Sequence, residues 1–118
     1  MHDTPTHKPT ACELCRREGV RLTKHHLIPV ARHNKPRTRR QHDRADFNTR
    51  VAWLCPPCHN TVHATLSEQE LAEHYHTLDR LAAHPDIARF VAFVRKQPPD
   101  ARVAVRPTND RQRRRRHI

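Results

Sequence analysis

The fold is decided by the stretch Cys55-Pro56-Pro57-Cys58-His59-Asn60-Thr61-Val62-His63. It joins a C-x2-C cysteine pair to two histidines, and its spacing from Pro57 to His63 is typical of a helix. Residues four apart in a helix share one face, so His59 and His63 can offer two imidazoles to one metal ion. The stretch therefore predicts sulfur and nitrogen metal ligands on one short segment.

A second C-x2-C pair, Cys12 and Cys15, lies near the start of the chain. Together with Cys55 and Cys58 it completes a tetrahedral four-sulfur site, which predicts structural zinc with bonds of about 2.3 Å. Such a site would stabilise a chain of 118 residues of which only 35% are hydrophobic. Two alternatives are open: a thioredoxin-like redox pair, or a zinc site in which His59 or His63 replaces a cysteine.

A strand is predicted upstream by Val20, Leu22, Leu27 and Ile28, and Pro29 ends it. His25 and His26 are adjacent on this strand, so their side chains point to opposite faces. One of them can join His59 and His63 at a metal, and three ligands leave positions open for water or a substrate oxygen. The other has a pKa near neutrality and suits a general base. The alternative is that all four histidines belong to a zinc-finger surface.

The other histidines are interpreted as solvated side chains rather than ligands. They lie in the tails, in the polar segment 31–50 or on predicted helices, where the sequence identifies no partner for them. They are His2, His7, His33, His42, His74, His76, His84 and His117.

The formal net charge is +11, from 23 Lys plus Arg against 12 Asp plus Glu. Such an excess favours a polyanionic partner, above all nucleic acid and most simply DNA, although a solvated basic surface is the alternative. Segment 31–50 is predicted to be a long surface loop that contacts phosphates. With few aromatic residues, and Trp53 assigned to the core, we expect salt-sensitive binding to the backbone. The expected contacts are Arg32, Lys35, Arg37, Arg39, Arg40 and Arg50.

The chain is predicted to divide into four segments. These are a flexible tail at 1–11, a zinc-knuckle core at 12–66, a helical extension at 67–97 and a disordered basic tail at 98–118. No run approaches the ~18 apolar residues of a membrane span, and Met1 to Ala11 contain no secretory signal. We therefore expect a cytoplasmic protein without a membrane partner, and its oligomeric state stays open.

The elements of these segments follow from short patterns. A second strand is predicted by Val51, Trp53 and Leu54. In the extension, a capping box at Ser67 and Glu70 begins one helix, and a second short helix is predicted over residues 78–83. Pro85 begins the last helix. Its apolar face consists of Ile87, Phe90, Val91 and Val94.

In these motifs the chain resembles the HNH (His-Me finger) endonuclease family, and in particular its small bacterial or phage members with a cysteine knuckle. The resemblance rests on C-x2-C at Cys12, on His-His-Leu-Ile-Pro from His25, and on Leu-Cys-x2-Cys-His-x3-His from Leu54. It covers residues 12 to 65. It implies an α+β fold with a small ββα-metal core, a structural zinc knuckle and C-terminal helices.

The resemblance also implies an activity and the roles of named residues. It implies that His26 is the general base that activates water, while His25, His59 and His63 hold one divalent ion (Mg2+, Mn2+, Ni2+ or Zn2+). The products would carry a 5′ phosphate and a 3′ hydroxyl. The family's asparagine, which orients the base, lies nine residues before the first helical histidine, where this chain has Arg50. Either Asn48 replaces it through a shifted loop as a further catalytic residue, or that support is absent.

Two other functions compete with the nuclease. One is a non-catalytic zinc-knuckle module that binds DNA or RNA, which Arg50 in the asparagine position favours. The other is a structural or partner-binding protein, for which only the helical region 67–97 speaks.

Overall fold

The computed structural model describes residues 8–103 and 105, without the side chain of Asn48. The tail before residue 8 and most of the basic segment from Arg102 to Arg116 lie outside the described residues. Within them the fold is α+β, a two-stranded antiparallel sheet with six α-helices. In chain order the elements are β1 (Thr23–His26), a 3-10 turn (Val30–Arg32), α1 (Pro36–Gln41), α2 (Asp46–Thr49), β2 (Val51–Leu54), α3 (Pro56–Thr65), α4 (Glu68–Glu73), α5 (Leu78–Ala83) and α6 (Pro85–Val94).

The first strand is shorter than the strand predicted from Val20, Leu22, Leu27 and Ile28. Thr23 pairs with Leu54 at one end and His26 with Val51 at the other. Val20 and Leu22, predicted to begin the strand, instead pack against the core without a strand partner. The reason is that β2 ends at Leu54, because the next residue already caps a helix, so nothing is left to pair with the chain before Thr23.

The prediction of a long loop over residues 31–50 was wrong, because the segment folds into a 3-10 turn and two short helices. Pro36 begins α1, where its missing N–H costs no hydrogen bond. The segment packs against α4. Thr38, His42 and Phe47 are buried there. Only one of these three side chains is apolar, so the buried face of the segment gave no hydrophobic pattern.

The helices after the sheet follow the predicted signals. Ser67 and Glu70 form the capping box, with Glu70 N–H donating to Ser67 Oγ at 3.1 Å and Ser67 N–H to Glu70 Oε1 at 2.9 Å. The helix predicted over residues 78–83 is α5, and Pro85 begins α6. The main core lies where α3 packs against α6, and α5 covers one side of it. No helix in the described part of the chain is long and apolar enough to cross a membrane.

Trp53 is not the core residue that was predicted. It alternates with the buried Ala52 and Leu54 on β2, so its ring faces outward and is only half-buried. The Nζ atoms of Lys8 and Lys24 lie 5.6 and 5.8 Å from its centroid, within the range of cation–π contacts.

The dependence of the fold on α6 can be tested with Ile87→Ala. Ile87 is fully buried, so we expect the free energy of unfolding to fall by about 2–5 kcal/mol, measured by urea denaturation. Phe93→Ala on the same helix is the control, because Phe93 is 53% exposed, and its effect should stay within about 0.5 kcal/mol. Equal losses in the two variants would contradict the assignment of the buried face.

Candidate metal centres

Four cysteines from two distant parts of the chain converge in the core. Cys12 and Cys15 lie in the knuckle that precedes the sheet, Cys55 is the N-cap of α3, and Cys58 lies in its first turn. All four are buried free thiols, and their sulfurs lie within 4.8 Å of one another. Zinc–sulfur bonds of about 2.3 Å at tetrahedral angles place sulfurs about 3.8 Å apart. The Cys15 and Cys55 sulfurs are 3.8 Å apart.

Backbone contacts shape the first cysteine pair into a tight turn. Arg16 N–H donates to the Cys12 carbonyl at 2.8 Å, and Cys15 N–H lies 3.4 Å from Cys12 Sγ. Arg16 closes the turn with a φ of 68°. Glu13 attaches it to β2, because its N–H donates to Trp53 O at 2.9 Å and its carboxylate accepts from Trp53 N–H at 2.7 Å. The knuckle is therefore held against the strand that leads to the second pair.

Four thiolates at this spacing would need a cation beside them. Hydrogen bonds from Cys55 and Cys58 lower the pKa of the Cys12 thiol, while those with Cys12 and Cys55 raise the pKa of Cys58. One thiolate is thus stabilised at the expense of its neighbours, and four cannot form so close together without a positive ion. A metal ion removes this conflict because it binds all four sulfurs as thiolates.

A buried arginine also indicates that the sulfurs of this cluster are thiolates. Arg17 is only 7% exposed, and its Nε and Nη2 lie 3.4 and 3.5 Å from the sulfurs of Cys15 and Cys55. Its Nη1 donates to the carbonyls of Gln97 and Pro98. No carboxylate pairs with Arg17 among the described residues. A buried guanidinium needs an anionic neighbour, and thiolates are the anions available to it.

The cysteine cluster therefore fits a structural metal such as zinc, with thiolate ligands inside and N–H donors around them. The redox alternative needed one pair in a βαβ unit, and residues 8–103 contain only one antiparallel strand pair. A histidine replacing a cysteine is also unnecessary, because four sulfurs already form one group.

A second cluster consists of three histidines from the sheet and the helix. His25 on β1 is 1% exposed, and α3 packs across both strands so that His59 and His63 face it. The ring centroid of His25 lies 5.2 Å from those of His59 and His63, and the centroids of His59 and His63 are 5.0 Å apart. One nitrogen from each ring lies within 4.8 Å of the others. The structure therefore brings together the three predicted metal-binding histidines.

The hydrogen bonds in this cluster leave some ring nitrogens without a partner. His25 Nε2 is buried without a hydrogen-bond partner among the described residues. The single hydroxyl proton of Thr23 is donated to Leu54 O at 2.8 Å, so the 2.7 Å contact with His59 Nδ1 requires that nitrogen to be the donor. His59 therefore keeps its Nε2 lone pair free. An orphaned buried nitrogen beside a free lone pair is the donor arrangement that a divalent ion would satisfy.

The same three histidines are kept neutral. Burial, followed by repulsion from His63, His59 and His26, lowers the pKa of His25 to about 3. Burial is also the main reason that the pKa values of His59 and His63 are lowered. Neutral imidazoles are the form that binds metals, so the group is ready for a cation at physiological pH.

His26, the predicted general base, lies outside this cluster. It follows His25 on β1 and points to the other face of the sheet, where it is half-buried. Burial and the neighbouring Lys24 and His33 lower its pKa, so the neutral, proton-accepting form is favoured. Its ring lies 6.4 Å from that of His33. Asn48, the other predicted catalytic residue, lies in α2, and its side chain is outside the described part of the structure.

Several histidines interpreted as solvated have structural roles instead. His33 Nε2 donates to the Ile28 carbonyl at 2.8 Å, and His42 Nε2 donates to that of Ala72 at 2.7 Å. The half-buried His76 lies beside His42. His84 caps α6 by accepting from the N–H of Asp86. Only His74 is well exposed among the described members of that set, and His2, His7 and His117 lie outside the described residues.

The expected phosphate contacts divide into free and occupied side chains. Arg37 lies 3.5 Å from the Glu73 carboxylate, and Arg50 donates to the His76 carbonyl at 2.8 Å. The asparagine position of the resemblance is therefore occupied by a side chain with a structural partner. The other four lie on the 3-10 turn or on α1 and its N-cap: Arg32, Lys35, Arg39 and Arg40.

Two residues that support the clusters were missed from the sequence. Thr23 lies two residues before His25, and the strand period of two places both on one face, so its contact with His59 could have been inferred. Arg17 follows the cysteine turn directly, but its burial depends on the end of α6, some eighty residues later. No local pattern could have shown that contact.

The described structure is thus that of a small α+β protein with a buried four-cysteine cluster that can hold a structural metal. The chain is 37% identical over 100 residues to the uncharacterized protein YisB of Bacillus subtilis (strain 168), in an alignment that covers 85% of this chain and 88% of YisB. The chain belongs to the same family as YisB. No family model matches it, and no solved structure matches it.

The cysteine site can be tested with Cys58→Ser, because loss of one thiolate weakens zinc binding, and a structural zinc contributes directly to folding. We expect the variant to lose its zinc on dialysis against a chelator and to melt at a lower temperature than the wild type. His59→Ala, at the next residue of α3, should keep that zinc. Wild-type zinc content and melting temperature in Cys58→Ser would contradict the assignment.

Arg17→Gln tests the buried guanidinium separately. Loss of its N–H donors to the sulfurs should weaken zinc binding by about 10–100-fold, measured by competition with a chromogenic chelator. The control is Arg16→Gln, which removes the same charge from the exposed neighbouring residue. If both variants bound zinc equally well, the contacts of Arg17 with the sulfurs would have no role in holding the metal.

Proposed function

We propose that this protein is a metal-dependent endonuclease that hydrolyses or nicks phosphodiester bonds of DNA. The observation that carries the proposal is the buried His25 Nε2, which has no hydrogen-bond partner in the described residues and faces His59 and His63. A structural histidine would have its nitrogens paired with protein groups. Three neutral imidazoles that converge, with the His25 Nε2 unpaired and the His59 Nε2 lone pair free, fit a second, catalytic divalent ion.

The order of elements supports this proposal. The strands β1 and β2 pair antiparallel, and α3 follows β2 directly and packs on both. This order is compatible with the ββα arrangement that the resemblance to HNH endonucleases implies, with the histidine pair on the first strand and two further histidines on the helix. The cysteine cluster lies at the beginning of α3, where it fixes the direction in which the helix leaves the sheet.

The proposed chemistry follows from the two faces of β1. A divalent ion, when bound by His25, His59 and His63, supplies positive charge to the phosphoryl oxygens and to the leaving oxygen. On the other face His26 takes a proton from water as its oxygen attacks phosphorus. The bond from phosphorus to the 3′ oxygen breaks, and that oxygen takes a proton from solvent water, which leaves a 5′ phosphate and a 3′ hydroxyl. Thr23 holds His59 in the tautomer that keeps its Nε2 free.

A binding module without catalysis is the second candidate, and one observation favours it. Arg50 stands where the resemblance expects an asparagine, and its guanidinium contacts both the carbonyl and the Nδ1 of His76. This side chain is therefore engaged elsewhere and does not take the role that the resemblance gives to the asparagine. The basic surface of α1 would then bind nucleic acid without cleaving it.

The test is nicking of supercoiled plasmid by protein stripped of loosely bound metal, with Mg2+, Mn2+, Ni2+ or Zn2+ added back. We expect cleavage to require an added ion. It should fall by at least about 100-fold in His26→Ala, because general base catalysis contributes roughly 10²–10⁴-fold. His74→Ala is the control, since that side chain is 68% exposed and belongs to neither cluster.

Each outcome distinguishes the two candidates. Full activity in His26→Ala, with its zinc content unchanged, would remove the role given to that residue. Absence of cleavage with every ion, together with salt-sensitive binding of the plasmid, would favour the binding module.

A further inference from the structure

A small polar pocket lies in segment 31–50, beside the face of β1 that carries His26. Its volume is about 210 Å³, and it opens between the end of the 3-10 turn, α1 and α2. The residues that line it are His33, Asn34, Arg39, Arg44 and Phe47. No acidic side chain is among them, although Asp43 and Asp46 are close in sequence.

The two arginines of this pocket are available to a ligand. Arg39 and Arg44 are exposed, and neither has an ion pair or a side-chain hydrogen bond within the described part of the chain. Arg37 and Arg89, by contrast, pair with Glu73 and Asp86. Two guanidinium groups without partners at one pocket provide a positive potential and N–H donors for an oxyanion.

The inner wall of the pocket is fixed before any ligand binds. The His33 ring stacks on Phe47 with centroids 4.6 Å apart and planes 19° apart. Its Nε2 proton is donated to the Ile28 carbonyl, so the Nδ1 of the neutral ring carries no proton. Phe47 is itself buried with Ile28 and Ala72 in a small second core. The pocket is therefore part of a packed structure rather than a flexible basic arm.

The pocket also lies beside His26, because His33 is in its lining. The ring of His33 lies 6.4 Å from that of His26, edge to face, so one histidine borders both places. A ligand bound between Arg39, Arg44 and His33 would therefore extend toward His26. A polymer with regularly spaced anionic groups can occupy both places at once, which a single small anion cannot.

We propose that this pocket binds a backbone phosphate of a nucleic-acid strand, next to the phosphate presented to His26. Arg39 and Arg44 supply the charge and the paired N–H donors, and the Asn34 amide offers a further donor. The pocket would fix the position of the strand without reading its bases. The phosphate site itself stands on the pocket, and only its relation to cleavage rests on the proposed function.

The test measures binding of a fluorescein-labelled single-stranded DNA oligonucleotide to the zinc-loaded full chain, without added divalent ion, by fluorescence anisotropy. We expect Arg39→Gln with Arg44→Gln to weaken binding by about tenfold or more and to reduce the salt slope by about one. The matched control is Arg16→Gln with Arg21→Gln, which removes the same charge from two exposed arginines outside the pocket. It should weaken binding by less than about threefold.

Folding of both double variants is checked by their melting temperatures, and Arg39→Lys with Arg44→Lys provides a second measurement. Lysine keeps the charge but not the paired donors, so we expect it to restore the salt slope and only part of the affinity. Equal losses in the two glutamine variants would overturn the pocket and indicate diffuse attraction. Displacement of the oligonucleotide by inorganic phosphate at an equal concentration of phosphate groups would overturn the assignment to a strand.

Failure of this proposal and failure of the proposed function give different results. If the wild type binds the oligonucleotide through the pocket but never nicks plasmid, the nuclease fails and the phosphate site stands. If the wild type nicks plasmid and the two glutamine variants bind alike, the nuclease stands and the pocket fails.

Discussion

The convergence of four sulfurs at the N-terminus of α3 is the constraint on which the other features of the fold depend. Cys55 follows the last residue of β2 and is the N-cap of α3, so the helix must leave the sheet at a fixed point and in a fixed direction. The knuckle formed by Cys12 and Cys15 closes over that junction and is held to β2 through Glu13. Because the direction of α3 is set there, His59 and His63 lie beside His25 of the strand.

Polar contacts in the interior provide much of what a larger hydrophobic core would provide elsewhere. Arg17 contacts two sulfurs and the carbonyls of Gln97 and Pro98 just after α6, so it connects the cysteine cluster to the end of the last helix. His42 and Arg50 connect the segment between the strands to carbonyls of the α4 region. Each donates N–H groups to a backbone carbonyl of a distant segment, and such contacts specify one arrangement among many of similar apolar burial.

The sequence predicted the features that depend on short spacings. The cysteine pairs, the capping box at Ser67 and the start of α6 at Pro85 are local patterns, and the structure contains all of them. It did not predict the fold of residues 31–50, because Thr38 and His42 are buried by α4, which lies about thirty residues later. Trp53 was misplaced because hydrophobic character does not reveal which face of a strand is covered. The roles of the histidines stay proposals, since proximity does not establish chemistry.

One feature of α3 has a thermodynamic consequence. Cys58 and His59 are consecutive residues, so the same turn of helix supplies a ligand to the sulfur cluster and one to the imidazole cluster. An ion at either cluster restricts the motion of that turn and so reduces the entropy that the other ion must overcome. If the imidazole cluster holds the proposed second ion, the two affinities are therefore linked, and by reciprocity each ion strengthens the binding of the other by the same factor. Metal occupancy in such a protein is expected to be cooperative rather than a sum of two independent equilibria.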